Sequence, residues 1–183
     1  MSMLNDRQIK ELCEKGNIVD PYNPSNVGPC SLDLTLGDSV AWYSGTSGYV
    51  LDPENEETYQ VQNAIVGRDI DKLFLEPGEF LLAETVEKFN IPRNIAAKVD
   101  GRSSMGRLGV FQHISAGFID PGFRGSVTLE LYNANRRPVI LRPGMIVAQM
   151  CFFQIEPCER DYQDKGGRYQ NESGATGSRY YQG

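Results

Sequence analysis

Apolar and polar residues alternate along several short stretches of the chain, which is the pattern of β-strands with one buried face. The alternation is clearest at residues 32–36 and 127–131, where leucine or valine occupies every second position. Further apolar runs predict strands at residues 40–43, 80–86, 95–99, 139–141 and 146–153. We therefore predict an all-β domain, built as a sandwich or barrel.

Pro-Gly pairs lie between several of these runs, at residues 77–78, 121–122 and 143–144. Because proline fixes φ and glycine accepts positive φ, each pair predicts a tight turn. Residues 44–65 are polar and irregular, and they predict a loop or a long hairpin.

A helical pattern occurs near the N-terminus. Asn5 can cap a helix, Gln8 follows three residues later as in a capping box, and apolar residues lie at positions 9, 12 and 13. Gly16 is a residue type at which helices commonly end. The pattern predicts one short amphipathic helix over residues 5–15.

The composition is that of a globular protein with one domain, since 40% of the 183 residues are hydrophobic and 23% are charged. No apolar run reaches the ~20 residues that span a membrane. The N-terminus has no apolar signal-peptide core, and we predict a cytoplasmic location.

The net charge of −6 disfavours a nucleic-acid surface. The cysteines form no CxxC pair and are predicted to be free, buried thiols: Cys13, Cys30, Cys151 and Cys158.

The apolar pattern fades after residue 160, where glycine and basic residues become frequent. We predict a β domain over residues 1–160 and a flexible segment of the same domain over residues 161–183. The segment is either a disordered tail or a lid that orders over an anionic ligand, and its composition alone favours the tail.

The chain lacks the residues of zinc-dependent deamination. Its one histidine is His113 and it has no CxxC pair, so three or four zinc ligands cannot be found at credible spacing. The fingerprints of P-loops, dinucleotide-binding folds and nucleophile elbows are also missing. We therefore expect no zinc, and a structural role for His113.

Arginines cluster in one part of this acidic chain. Residues 101–125 contain Arg102, Arg107 and Arg124 against a single acid, Asp120. Arginine binds phosphate oxygens in a bidentate manner, and a helical turn would bring Arg102 and Arg107 close together. The segment predicts either a site for a small anion or a basic surface loop.

Glu130 lies in the middle of a predicted strand, on the face opposite the leucines and together with Thr128 and Tyr132. A strand glutamate usually faces solvent. If this face instead lines a nucleotide pocket, the carboxylate is well placed to carry protons.

Several long motifs carry a resemblance to a known family. They are GRSSMGRLG at residues 101–109, AGFIDPGFRGSVTLEL at 116–131 and RPGMIVAQM at 142–150, with PCSLDL at 29–34, RYQ at 168–170 and GATGSR at 174–179. In this order they resemble the dCTP deaminase branch of the dUTPase-related family, over nearly the whole chain. The resemblance implies an all-β, distorted β-barrel or jelly-roll-like dUTPase fold. It also implies a homotrimer with active sites at subunit interfaces and a closing C-terminal lid.

The resemblance assigns roles to individual residues. It implies that Glu130 is the general acid and base, assisted by Ser103 and Arg107, and that Asp120 contacts the deoxyribose side. It implies Mg2+ carried on the substrate phosphates, with no direct protein ligand. The residues that it places around the nucleotide are Arg102, Ser103, Ser104, Met105, Gly106, Arg107, Asp120, Thr128, Leu129, Glu130, Gln149, Tyr162, Arg168 and Glu172.

Two of these positions depart from the family pattern. Arg168 stands where lysine is common, which keeps the charge, and Glu172 stands where glutamine is common. A carboxylate beside a triphosphate is unfavourable unless a metal or an arginine compensates it.

The implied activity is deamination of dCTP in pyrimidine deoxynucleotide metabolism, with dCTP and dUTP as substrates and dTTP as a candidate feedback inhibitor. At Gly117 and Phe118 the sequence resembles that of relatives that also cleave the triphosphate and release dUMP. Relatives that only deaminate have a stretch that resembles Ala-His-Arg-Ile-Asp at these positions. Glycine would leave room beside Asp120 for a second water at the α-phosphate; alternatively, it serves the backbone alone. The other candidates are a deaminase that releases dUTP, a dUTP diphosphatase and a non-catalytic trimeric nucleotide sensor.

Overall fold

The computed structural model describes residues 2–43, 50–58 and 60–180, and β-strands predominate in them. The helices are α1 (Asp6–Gly16) and α2 (Ser103–Gly106), with 3-10 turns at Pro24–Asn26 and Glu56–Thr58. The strands are β1 (Ser2–Met3), β2 (Val19–Asp20), β3 (Leu32–Tyr43), β4 (Val61–Ile65), β5 (Leu73–Leu75), β6 (Phe80–Asn90), β7 (Ile95–Gly101), β8 (Val110–Phe111), β9 (Phe118–Ile119), β10 (Arg124–Asn133), β11 (Val139–Leu141) and β12 (Ile146–Gln154).

The main sheet is antiparallel and runs in the order β8–β10–β6–β3–β12–β7–β9, with β1 beside β12, β2 beside β6 and β4 beside β3. Strands β5 and β11 form a separate pair. The register shifts in β3, β10 and β12, and such irregularities bend a strand and increase its twist. The sheet therefore curls around one main apolar core, beside which Ala41, Leu82 and Ala175 form a small second cluster. The all-β prediction is confirmed.

Helix α1 confirms the predicted N-terminal helix and its capping box. The Asn5 side chain accepts the N–H of Gln8, and the Gln8 side chain accepts the N–H of Asn5. The buried residues of the helix are Ile9 and Cys13. The predicted end is one residue early, because Gly16 is still helical and Asn17 takes the left-handed conformation with φ 47°.

The predicted strands are all present, but several extend further than their apolar runs. The runs at 32–36 and 40–43 belong to one strand, β3, and β6 continues to Asn90. Of the two alternatives predicted for residues 44–65, the long hairpin is confirmed, since β4 occupies the last five residues and pairs antiparallel with β3. Residues 44–49 and 59 of that stretch lie outside the described residues.

The Pro-Gly turns are confirmed, with φ of 78° at Gly78 and 85° at both Gly122 and Gly144. All four cysteines are free, as predicted. The prediction that they are buried holds for Cys13 only. Cys151 and Cys158 are partly buried, and Cys30, which precedes β3, is exposed. Within the described residues, no helix is long and apolar enough to cross a membrane.

Candidate functional site

A cavity of about 340 Å³ lies on the outer face of β10 and β6, around Glu130. Leu129 and Leu131 are fully buried in the core, so the alternation of the strand turns Thr128 and Glu130 toward this cavity. We refer to it as the Glu130 pocket. Its wall combines six aromatic residues, four hydroxyl residues and three carboxylates: Tyr43, Phe80, Phe118, Phe123, Tyr162, Tyr169, Ser126, Thr128, Thr176, Ser178, Asp120, Glu130 and Glu172.

One oxygen of the Glu130 carboxylate is held by the backbone. Its Oε2 accepts the N–H groups of Ile114 and Ser115, at 3.1 and 3.3 Å. Hydrogen bonds from two main-chain donors fix the plane of the carboxylate in the pocket. Oε1 has no hydrogen-bond partner among the described residues and is free to meet a ligand.

A second, more open cavity of about 650 Å³ surrounds Arg102 and Ser103. We refer to it as the Arg102 pocket. Arg102 is the residue before α2 and Arg107 the residue after it, so the two arginines flank the short helix that the sequence suggested. The Arg102 guanidinium forms an ion pair with Asp33 of β3.

Gln149 ties the Arg102 pocket to the sheet. Its Nε2 donates to the carbonyl oxygen of Gly101 at 3.0 Å, and its Oε1 accepts the hydroxyl of Ser31 at 3.0 Å. Gln149 and Ser31 both line the pocket. These bonds fix the end of β7, from which the chain enters α2.

The predicted nucleotide residues divide between the two pockets. Asp120, Thr128, Glu130, Tyr162 and Glu172 line the Glu130 pocket. The Arg102 pocket holds Arg102, Ser103, Gly106 and Gln149. Some predicted residues line neither pocket: Ser104, Met105, Arg107, Leu129 and Arg168.

Met105 and Leu129 lie in the core with exposures of 5% and 0%. Their predicted contact with the nucleotide would therefore be made by main-chain atoms. Ser104, Arg107 and Arg168 are exposed on the surface of this single chain.

Several residues of the site were missed by the sequence analysis. His113, expected to be structural, lines both pockets, and neither of its ring nitrogens has a hydrogen-bond partner among the described residues. Asp33 lies in an alternating strand and in the PCSLDL motif, but neither pattern assigned it to the site. Tyr169 and Thr176 line the Glu130 pocket from the C-terminal segment, where the composition gave no sign of them.

Glu172 is compensated within the chain. Its side chain is 4% exposed and forms an ion pair with Arg179, at 2.6 Å between Oε1 and Nη2. Its Oε2 accepts the hydroxyl of Thr176, which is 3.4 Å from the hydroxyl of Thr128. The arginine required to balance this unusual carboxylate is therefore supplied seven residues further along the same segment. The burial of Tyr162 itself raises the pKa of its hydroxyl.

Gly117 lies against the backbone of β7. Its carbonyl oxygen accepts the N–H of Val99 at 2.7 Å, and a Cβ at this position would lie 2.5 Å from the Val99 carbonyl oxygen. The structure therefore favours the backbone role of this glycine over the role of making room for water. Phe118, by contrast, is 62% exposed and lines the Glu130 pocket.

We expect Gly117→Ala to lower the free energy of unfolding by about 1–3 kcal/mol, because the added methyl overpacks a rigid backbone contact. For a chain of this length, that is a fall in Tm of roughly 2–4 °C per kcal/mol. Gly106→Ala is the matched control, since its added methyl would meet nothing within 4 Å beyond its chain neighbours and the backbone of its own helix. Equal melting temperatures for the two variants would contradict the packing role of Gly117.

Comparisons with known proteins agree with this architecture. A family model described as dCTP deaminase-like matches residues 3–155. The dUMP-forming dCTP deaminase of Nanoarchaeum equitans is 41% identical over 192 residues, which cover 96% of each chain. Those of Dictyoglomus thermophilum and Thermobifida fusca are each 41% identical over 184 residues, covering 97% and 98% of this chain and 94% and 93% of theirs.

A solved structure shares the fold. The 2'-deoxycytidine 5'-triphosphate deaminase of Agrobacterium tumefaciens superposes with a TM-score of 0.63 at 23% identity, over 82% of this chain and 47% of that chain. This chain thus corresponds to less than half the length of that protein, and the likeness shows the fold alone.

Proposed function

The chain belongs to the dCTP deaminase-like family, and from that premise we propose that it is a hydrolase that deaminates dCTP and releases dUMP. Relatives about 40% identical over nearly the full chain carry that activity in their names. The observation that carries the proposal is the fixed Glu130 carboxylate in a pocket walled by aromatic and hydroxyl side chains.

In the proposed reaction, a water attacks C4 of cytosine. The free oxygen of Glu130 takes one proton of that water and delivers it to N3, where it stays. The same oxygen then takes the proton of the hydroxyl formed at C4 and delivers it to the amine, so that ammonia departs and uracil remains. A second water attacks the α-phosphorus and breaks its bond to the oxygen that bridges the α- and β-phosphates, so that pyrophosphate leaves. The balance is dCTP and two waters to dUMP, ammonia and pyrophosphate.

The wall of the Glu130 pocket contains Asp120, Glu130 and Glu172 but no arginine or lysine among the described residues. A triphosphate in that position needs cationic partners. We propose that the Arg102 pocket of a second copy supplies them, in a homotrimer whose sites lie between subunits. This arrangement also lets Ser103 and Arg107 assist Glu130.

Exposed apolar side chains around the two pockets support association. Leu108, Phe111, Ile114 and Phe118 are 50–62% exposed and follow one another along the segment between the pockets. An apolar surface of this kind on a soluble chain is commonly a contact surface.

Mixed assembly tests the shared site. Glu130→Gln and Arg102→Ala homotrimers should each be nearly inactive, but mixed trimers should recover activity, because some interfaces then pair an intact Glu130 with an intact Arg102. Turnover of dCTP is measured after the two variants are refolded together, and after they are mixed without refolding as a control. If refolding together restores nothing, each chain carries its own complete site.

Mg2+ is proposed to reach the site on the phosphates of the nucleotide, with no protein residue assigned as its ligand. The segment from residue 161 is proposed to act as the lid, with Tyr162 and Glu172 in the pocket wall and Arg168 at its surface. A cytoplasmic location and inhibition by dTTP stay predictions from the sequence.

Product analysis tests the activity. The purified chain is incubated with dCTP and Mg2+, and we expect dUMP, pyrophosphate and ammonia to appear together without accumulation of dUTP. Accumulating dUTP would identify a deaminase only. Conversion of added dUTP but not dCTP would identify a dUTP diphosphatase, and binding without turnover would identify a sensor.

A further inference from the structure

Gln112 is a buried amide at the edge of the Arg102 pocket, with an exposure of 3%. Its Oε1 accepts the N–H of Arg102 at 3.0 Å, and its Nε2 donates to the carbonyl oxygen of Val110. Both ends of the amide are therefore satisfied by backbone groups from two segments, which is the condition for burying such a group without penalty.

The absence of a side chain at Gly101 makes room for the amide of Gln112. A Cβ on Gly101 would collide with Oε1 of Gln112, and apart from the two chain neighbours of Gly101, no other residue lies within 4 Å of that position. The glycine is not required by its own φ, because it is absent from the positive-φ residues. Its missing side chain makes space for the Gln112 amide and for nothing else among the described residues.

The contact lies where the chain leaves β7 and enters α2. The N–H of Arg102 receives a side-chain acceptor there, while its guanidinium is paired with Asp33. Gln149 holds the preceding carbonyl of Gly101. Gln112 therefore holds the Arg102 N–H at the point where the chain passes from β7 into α2.

We propose that Gln112 is a positioning residue for the phosphates of the substrate, acting through the backbone of Arg102. The inference rests on the proposed function, in which phosphates occupy the Arg102 pocket. Without the Gln112 oxygen, the Arg102 N–H is left unpaired beside the sheet, and the segment that follows samples other directions. Phosphate binding should weaken, whereas recognition of the nucleoside in the Glu130 pocket should not.

The test is a double-mutant cycle of Gln112→Ala, Gly101→Ala and the double variant. Gln112→Ala should raise both the KM for dCTP and the calorimetric Kd for inorganic tripolyphosphate by about tenfold, the scale of a lost buried hydrogen bond. Competitive inhibition by deoxycytidine should change by less than about twofold. Gly101→Ala should reproduce the loss, because its methyl displaces Oε1. The double variant should be no worse than Gln112→Ala, since the atom that the methyl strikes is gone.

Gln154→Ala is the matched control. Its amide also donates to main-chain oxygens, those of Asn94 and Ile155, and it lines neither pocket. Gln112→Met is a second variant that preserves the side-chain volume if the alanine variant does not fold, and it should show the same tenfold loss.

Wild-type affinity for tripolyphosphate in the Gln112 variants would overturn the inference, as would losses that add in the double variant. Equal losses for deoxycytidine and tripolyphosphate would overturn it too, since they indicate a general structural role. If the wild-type chain binds tripolyphosphate but does not turn over dCTP, the proposed activity fails, and the calorimetric cycle still decides the role of Gln112.

Discussion

Glu130→Gln should reduce the turnover of dCTP by about 100-fold or more, the scale of lost acid–base catalysis. Glutamine has the same shape and retains an oxygen for the N–H groups of Ile114 and Ser115 that Glu130 now accepts. The pocket should therefore keep its form and still bind the nucleotide. Only the ability to take up and deliver a proton is removed.

The measurement is kcat by detection of ammonia, together with the Kd for dCTP by calorimetry. Glu14→Gln makes the same chemical change at an exposed position of α1 and should leave both values at the wild-type level. Deamination at a near-normal rate by Glu130→Gln would exclude this carboxylate as the proton carrier. A large loss of dCTP affinity would instead make Glu130 a binding residue.

The strand pattern and the turns could be predicted from the sequence because each depends on local chemistry. Alternation showed which side of β10 faces the core, and Pro-Gly pairs marked three turns that the backbone confirms. The two-residue strands β1, β2, β8 and β9 could not be found, because alternation needs more positions than they have. Their pairing is set by the neighbouring strands.

Sequence motifs predicted individual residues of the candidate site but not their arrangement. The resemblance identified Glu130 and Arg102, but not their separation into two pockets of one chain. Asp33 and Gln112 act through Arg102, which lies on another part of the fold, and Arg179 pairs with Glu172 within a segment that has no regular secondary structure. Such pairings depend on the folded topology, which the local sequence does not encode.

The C-terminal segment forms one wall of the Glu130 pocket and is anchored to the sheet at several points. At its base, Arg93 pairs with Asp161 at 3.0 Å, and the N–H of Asp164 lowers the pKa of Asp161. Further along, Glu84 accepts the N–H of Gly174 at 2.6 Å and Ser39 accepts the N–H of Ala175 at 3.0 Å. These contacts give the segment defined docking sites on its own chain, which the proposed lid role requires.

Truncation after Arg160 should therefore lower kcat/KM for dCTP by about 100-fold, the cost of losing the geometry that positions a substrate. The β domain should remain folded, because the core strands end at Gln154. Circular dichroism and sedimentation check the fold and the assembly, and Lys165→Ala, at an exposed position of the segment, is the control. Full activity in the truncated chain would make the segment a dispensable tail. A truncated chain that neither folds nor assembles would show instead that these anchors stabilise the barrel itself.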